Sequence, residues 1–396
     1  MPTPVAFNLD QLRDPALRPI GERLIAGERL SIADGVTLFR SPDLLGVGAM
    51  ADAANRARHG DRVTFASNQH INPTNVCVLR TTCVFCGYAR LPKEEGAYRY
   101  TLEQVLAESD RADGTITREF HIVGGLDMKA GLAYYSTMFR ALKERHPQVH
   151  IKALTAVEIA HIARIEKMST EDVLIALRDA GLDTLPGGGA ETFSAAVRDV
   201  IADKKLGGAE YIEVHRTAHR LGIRSNCTML YGHVETLEDR MQHLNMLRDL
   251  QDETGGFLAY IPLAYHPDDN ELGKTLGREG TASTGFDDLR NLAVGRLFLD
   301  NFEHIKSHWI MVTSAVTQIA LHFGVNDIEG TVVREKIYHA VGAHTPQGMT
   351  LPQLLELIRG AGKRPAERDS LYRVLREFDD HEHGASDEVA LVGAAG

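Results

Sequence analysis

The run HINPTNVCVLRTTCVFCGYAR, residues 70–90, holds three of the chain's four cysteines, Cys77, Cys83 and Cys86, within ten residues. Three clustered thiolates suit a soft metal or an iron–sulfur cluster, and three protein ligands rather than four leave one coordination position for a molecule that reacts. Inert core cysteines would not recur at x5 and x2 spacing beside Arg80, Thr81 and Thr82. A closed zinc site would need a second ligand pair with similar short spacing, and none is visible. An iron–sulfur cluster is therefore the leading reading and zinc the alternative. The fourth cysteine, Cys227 in RSNCTMLYGH, reads as a small buried strand residue.

This run follows a candidate strand, Val63 to Ile71, and from Arg62 onward short β-rich runs alternate with longer amphipathic ones. That alternation predicts a parallel sheet with crossover helices. The other candidate strands are Phe120 to Gly124, His150 to Thr155, Thr184 to Gly187, Arg224 to Tyr231, Phe257 to Tyr265, Trp309 to Thr313 and Ile319 to Phe323. Thr101 with Gln104 forms a capping box opening a helix toward Asp113, and Ser169 before Glu171 and Asp172 opens another that stops near Gly181. Eight βα units close most naturally into a TIM-type barrel, an α/β fold whose active site is built from the loops at the carboxyl ends of the strands. The cysteine run lies at such an end.

Two helices, Pro15 to Ala26 and Ser41 to Arg58, precede the first strand and are expected to form a lid or plug. Leu351 to Arg359 and Ser370 to Phe378 are expected as helices outside the barrel. The predicted organisation is an N-terminal helical segment at 1–60, a barrel core at 61–332, a C-terminal helical extension at 333–378 and a flexible tail at 379–396. His381 and His383 belong to that acidic tail, where solvation rather than metal binding is expected.

At 396 residues the chain can bury a large core, as one barrel or two ordinary domains. A formal net charge of -11 argues against nucleic-acid or anionic-membrane partners. No long apolar run predicts a membrane span, and MPTPVAFNLDQLRDP lacks the apolar core of a signal peptide, so a reducing cytoplasm is expected.

Two glycine-rich strand ends share the register of the cysteine run. FHIVGG ends in Gly124 and Gly125, and LPGGGAETF places three glycines before Glu191. Tight turns are the plain reading of the first, but a simple βα turn rarely needs three consecutive glycines. Neither is followed by a Walker lysine or a GxGxxG pattern, so phosphate cradling is not indicated. Exposed backbone groups beside a carboxylate suit a zwitterionic amino-acid moiety and a ribose, both present in S-adenosylmethionine.

With HINPTNVCVLRTTCVFCGYAR, EFHIVGG, LPGGGAE, HRTAHRLGI, TMLYGHVET, LQDETGGF, IPLAYHP and ERDSLY, spread over roughly residues 60–375, the chain resembles the radical S-adenosylmethionine enzymes. More narrowly it resembles the aminofutalosine synthases of the futalosine route to menaquinone. The resemblance implies that Cys77, Cys83 and Cys86 hold three irons of a 4Fe-4S cluster, with S-adenosylmethionine on the fourth. It puts Phe85 and Tyr88 near the adenine, Gly124 and Gly125 near the methionine portion, and Glu191 on the ribose hydroxyls or the amino group. One departure stands out: five residues separate Cys77 from Cys83, where three is the commonest spacing.

In this group a 5'-deoxyadenosyl radical adds to the alkene of 3-[(1-carboxyvinyl)oxy]benzoate, with aryl migration and loss of a carboxyl group, and S-adenosylmethionine is consumed as a substrate. Such an aromatic dicarboxylate needs donors at two ends of an apolar slot. Asn72, His215, Arg216 and His219 are the candidates for substrate binding, and His233, His70 and His266 for catalysis, with solvated or structural roles as the plain alternative for each. An electron donor of flavodoxin or ferredoxin type is implied. The alternatives are a sister radical enzyme, either a cyclic dehypoxanthinylfutalosine synthase or a deazaflavin-forming synthase, and, more distantly, a zinc-binding structural module.

Overall fold

In the computed structural model, which describes residues 3–111, 116–278 and 283–378, ten strands alternate with helices. The tail with His381 and His383 lies outside the described residues, and the Thr101 helix, expected to run toward Asp113, ends at Ser109 with Asp110 as its C-cap. The strands are β1 (Arg62–Phe65), β2 (Asn68–Ile71), β3 (Glu119–Ile122), β4 (His150–Ala153), β5 (Ser225–Tyr231), β6 (Phe257–Ala264), β7 (His304–Ser307), β8 (Asp327–Ile328), β9 (Arg364–Arg368) and β10 (Val374–Glu377). One sheet has the order β10-β9-β1-β8-β7-β6-β5 and a second the order β2-β3-β4. Parallel bridges from Lys152 to Thr184 and from Leu185 to Ser225 insert the 184–185 segment between β4 and β5. Because β1 runs on into β2 after two residues, the sheets join there as well, and the strands close a parallel (βα) barrel.

The helices are punctuated as their sequences require. Leu102–Ser109 opens on the Thr101–Gln104 capping box, and Thr170–Asp179 is capped by the Ser169 side chain. Strands β5 and β6, buried along nearly their whole length and packed on both faces, are where the expected boundaries hold best.

Two expected strands are helical instead. Trp309–Val312 is a short buried helix and Ser314–Ala320 begins the next one, so Ile319 to Phe323 is no strand. A short apolar run does not distinguish a buried strand from a buried helical turn. The seventh and eighth strands are the polar HIKS and DI, because their inward side chains form an ionic floor. In it Lys152 pairs with Glu119 at 2.7 Å and Lys306 lies 3.5 Å from Asp327. Arg368 grips both Asp327 oxygens, at 2.7 and 2.8 Å, and Thr64 and Tyr372 donate their hydroxyls to the same carboxylate.

The C-terminal extension is part helix, Leu351–Gly360, and part sheet: Ser370 to Phe378 holds β10 rather than a helix, and β9 pairs in parallel with β1. The ERDSLY segment is thus what delivers Arg368 and Tyr372 beneath the barrel. The N-terminal helices form no lid. Leu44–His59 packs on Gly285–Phe298 and Ile32–Arg40 on Leu237–Thr254, so they cover the outer wall. No helix of the described residues is long and apolar enough to cross a membrane.

Candidate active site

The cysteine segment leaves the carboxyl end of β2 as a loop pinned by its own backbone. Cys77 N–H donates to Arg90 O at 2.9 Å, Val78 N–H to Leu126 O at 3.0 Å and Val84 N–H to Ile201 O at 3.0 Å. The five residues between Cys77 and Cys83 coil into successive turns, with Arg80 N–H to Cys77 O at 3.2 Å and Cys83 N–H to Leu79 O at 2.9 Å. The longer spacing therefore brings Cys83 back toward Cys77, and all three cysteines line one cavity. Among the described residues no three His, Cys, Asp or Glu side chains converge as ligands of one ion. A cubane takes each thiolate on a different iron. Burial pushes the Cys83 thiol up to about 12 although Lys205 opposes it, so its ionisation calls for a strongly cationic partner such as cluster iron.

Gly124 and Gly125 line the same cavity, but their bare Cα atoms also serve the loop. A Cβ on Gly124 would sit 2.7 Å from Thr74 O, and one on Gly125 would strike Val76 O. The FHIVGG glycines thus let the cysteine loop lie against the end of β3. The Gly124 N–H is taken by Glu158, whose burial raises its carboxyl to about 7 even though it also accepts from Thr155. Beyond β4, Gly188 and Gly189 open the cavity wall, and Glu191 follows in the left-handed region at φ 50°. A non-glycine residue there stores strain of roughly 1–3 kcal/mol, a pattern concentrated at functional sites.

Glu191 has a cation partner that lies 14 residues further along the chain. Lys205 Nζ lies 2.5 Å from Glu191 Oε1 and 5.3 Å from the centre of the Phe85 ring, so the pair borders the cysteine loop. Burial works against the Lys205 charge, but Glu191 and the Cys83 thiol outweigh it and raise its pKa. Phe85 and Tyr88 both line the cavity, Tyr88 with its hydroxyl tied to Tyr98 at 2.6 Å.

The histidines divide. His70 and His266 line the cavity, and the His266 Nε2–H donates to Met311 O at 3.0 Å. His233 does not line it: it is buried between Leu230 O, 3.1 Å from Nε2, and Glu235, 3.1 Å from Nδ1. Asn72 is a clamp, donating to Val123 O at 3.0 Å and accepting from the Tyr98 hydroxyl at its carbonyl. His215 and His219 both reach Ser225 Oγ at 2.8 Å, at the amino end of β5 and hence the opposite face of the barrel. Arg216 is paired outside with Glu253 and Glu213. The two histidines tie the Gly208–Arg220 helix to the sheet and Arg216 ties it to the Leu237–Thr254 helix, and none of the three lines the cavity. Lys205, Glu158, His121, His308 and Glu329 do line it, and sequence reasoning missed them: His121 sits in FHIVGG, where the glycines drew the reading, and the other four sit in no motif.

A family model described as "Radical SAM superfamily" matches residues 71–247, and one described as "CofH/MqnC C-terminal region" matches residues 254–381. An aminodeoxyfutalosine synthase of Thermus thermophilus is 46% identical over 369 residues, covering 93% of this chain and 98% of the relative. The chain belongs to the radical S-adenosylmethionine superfamily. A cyclic dehypoxanthine futalosine synthase of Streptomyces coelicolor is 37% identical over 379 residues, covering 94% of this chain and 92% of that one. The crystal structure of methylornithine synthase shares the fold, with a TM-score of 0.69 at 17% identity over 88% of this chain and 97% of that one. As a radical S-adenosylmethionine enzyme, the chain works with a 4Fe-4S cluster and S-adenosylmethionine.

Proposed function

We propose that the chain is an aminofutalosine synthase of menaquinone biosynthesis, converting 3-[(1-carboxyvinyl)oxy]benzoate to 6-amino-6-deoxyfutalosine. The observation that carries the reading is 46% identity to an aminodeoxyfutalosine synthase over nearly the full length of both chains, against 37% at similar coverage for a cyclic dehypoxanthine futalosine synthase. Cys77, Cys83 and Cys86 would hold the cluster, which with S-adenosylmethionine would supply the adenosyl radical chemistry needed for addition to the enol-ether alkene, aryl migration and decarboxylation.

The protein's part is orientation and exclusion of water. Glu191, fixed by Lys205, accepts hydrogen bonds from the ribose hydroxyls or the amino group of the cofactor. Phe85 and Tyr88 flank the adenine, and Gly124 and Gly125 leave room for the methionine portion beside the loop. Ile261 and Leu263 supply apolar wall for the aromatic ring. His266, its Nε2–H fixed by Met311 O, presents Nδ1 as the proton-handling atom. A flavodoxin- or ferredoxin-type protein of the cytoplasm provides the electron.

The test is an anaerobic reaction of the reconstituted protein with the enol-ether benzoate, S-adenosylmethionine and a strong reductant, followed by mass spectrometry. Methionine and an adenine nucleoside bearing the benzoate ring should form in equal amounts, with little 5'-deoxyadenosine. Label from the cofactor appearing mainly in 5'-deoxyadenosine, with the benzoate unconsumed, would make a hydrogen-abstracting sister enzyme the better reading.

A further inference from the structure

One part of the cavity wall is built by histidines to which the proposed reaction gives no task. His70 lies near the carboxyl end of β2, His121 lies beside it in β3 and His308 follows β7, and all three line the cavity. The His70 and His121 rings stack, their centroids 4.5 Å apart. Next to them Glu329 is fully engaged, accepting from Asn68 at 2.7 Å and pairing with Lys306 at 3.2 Å. His308 Nε2 faces that carboxylate at 4.0 Å. The other His308 nitrogen, Nδ1, and His70 Nε2 are buried without any hydrogen-bond partner. His308 is only 8% exposed, and burial lowers its pKa to about 4, so at neutral pH its ring is uncharged and carries one N–H. Buried ring nitrogens are nearly always satisfied, and two unpartnered ones on residues that line one cavity mark a place for polar atoms of a ligand.

The chemistry of that ligand follows from what else lines the cavity. Among the described lining residues the carboxylates Glu158, Glu191, Glu329 and Glu335 face one cation, Lys205, which is already paired with Glu191. Glu335 is itself saturated by the Ile337, Tyr338 and His339 N–H groups. A dicarboxylate entering here meets no uncommitted lysine or arginine among those residues, so neutral donors, the imidazole N–H groups among them, are what it meets.

We propose that His70 and His308 together seat one carboxylate of the aromatic dicarboxylate substrate, with His121 as a positioning residue that fixes the His70 ring by stacking. This rests on the substrate reading given above. Neutral imidazoles suit the task in a cavity rich in carboxylates, since each donates a hydrogen bond without a permanent charge to be neutralised by Glu329.

The test is calorimetric binding to the reconstituted holoenzyme with S-adenosylmethionine bound. The probes are 3-[(1-carboxyvinyl)oxy]benzoate and two monoacids, 3-(vinyloxy)benzoate and 2-phenoxyacrylate, each lacking one of its carboxylates. His308→Phe and His70→Phe should weaken the dicarboxylate roughly 10- to 100-fold, the loss of a hydrogen bond to a charged group. They should weaken one monoacid to the same degree and leave the other unchanged, which identifies the seated carboxylate. His308→Asn, which keeps an N–H donor, should retain part of the affinity, and it carries the comparison if a phenylalanine variant loses its cluster absorbance. Equal weakening of both monoacids, or no weakening of the dicarboxylate, overturns the seat. Wild-type enzyme that neither binds nor converts the dicarboxylate overturns the substrate reading itself, an outcome distinct from normal wild-type turnover with unaffected variants.

Discussion

Glu191 draws together the strain, charge and cofactor arguments at a single residue. It holds a left-handed backbone, buries its side chain and pairs with Lys205 beside the cysteine loop. Glu191→Gln should fold and keep its cluster absorbance while binding S-adenosylmethionine roughly 10- to 100-fold more weakly, since hydrogen bonds to charged groups contribute about 1.5–3 kcal/mol. Equilibrium dialysis with labelled cofactor measures this, and unchanged affinity would assign the carboxylate to the fold. Cysteine replacement tests the ligand set. Single replacement of Cys77, Cys83 or Cys86 by serine should abolish the cluster's visible absorption, whereas Cys227→Ala should leave it intact, because Cys227 lies buried in β5 with its Sγ 3.7 Å from Ala259 O. At this scale the cysteines and Glu191 were legible because each sits in a dense, unusual pattern. Lys205 was not, for DKKLGG reads as a solvated loop until α-helical and strand packing bring its ammonium beside Glu191.

Among the elements, legibility followed the polarity of the inward face. Strands β5 and β6 carry apolar runs and could be read directly, whereas β7 and β8 point Lys306 and Asp327 into the barrel and were hidden behind the more apolar WIMV. The Gly208–Arg220 helix gives the opposite case: its HRTAH pattern suggested substrate binding, but both histidines converge on Ser225 at the base of β5. Ser225→Ala should therefore cost about 1–3 kcal/mol in a denaturant melt, the cost of leaving buried partners unsatisfied, without changing KM for the benzoate substrate. A change in KM at unaltered stability would return His215 and His219 to the active site. The β9–β10 hairpin makes a similar point, since only pairing with β1 reveals that Arg368 enters the barrel. Arg368→Met strands Asp327 with fewer partners in the ionic floor and should cost roughly 3–5 kcal/mol by the same melt.

Over the whole molecule the buried histidines govern the response to acid. Burial is the leading cause that lowers His59, His150, His219 and His308 to about 4 and His243 to about 3, all below the ordinary value. These groups are neutral in the folded protein at pH 5.5, while an unfolded chain with pKa values of about 6.5 takes up protons there. The unfolded state thus binds more protons between about pH 6.5 and 4, and stability falls as the pH drops through that window, by up to about 1.4 kcal/mol per pH unit for each histidine. The depressed carboxylate of Asp327 works in the same direction but at lower pH, its contribution being lost only as the pH falls below the usual aspartate range, since Arg368 and Lys306 outweigh its burial. Denaturant melts at pH 7.5, 6.5 and 5.5 should show a steep decline that begins near neutrality. His243 supplies the control. It stacks on Phe193 with ring centroids 3.8 Å apart and its Nε2–H donates to Thr228 O at 2.9 Å, a bond that an asparagine amide can replace. His243→Asn should therefore flatten the decline by up to about 1.4 kcal/mol per pH unit between pH 6.5 and 5.5, and because cluster effects are common to both proteins, the difference isolates the histidine. Equal slopes would mean that His243 already carries its proton in the folded state.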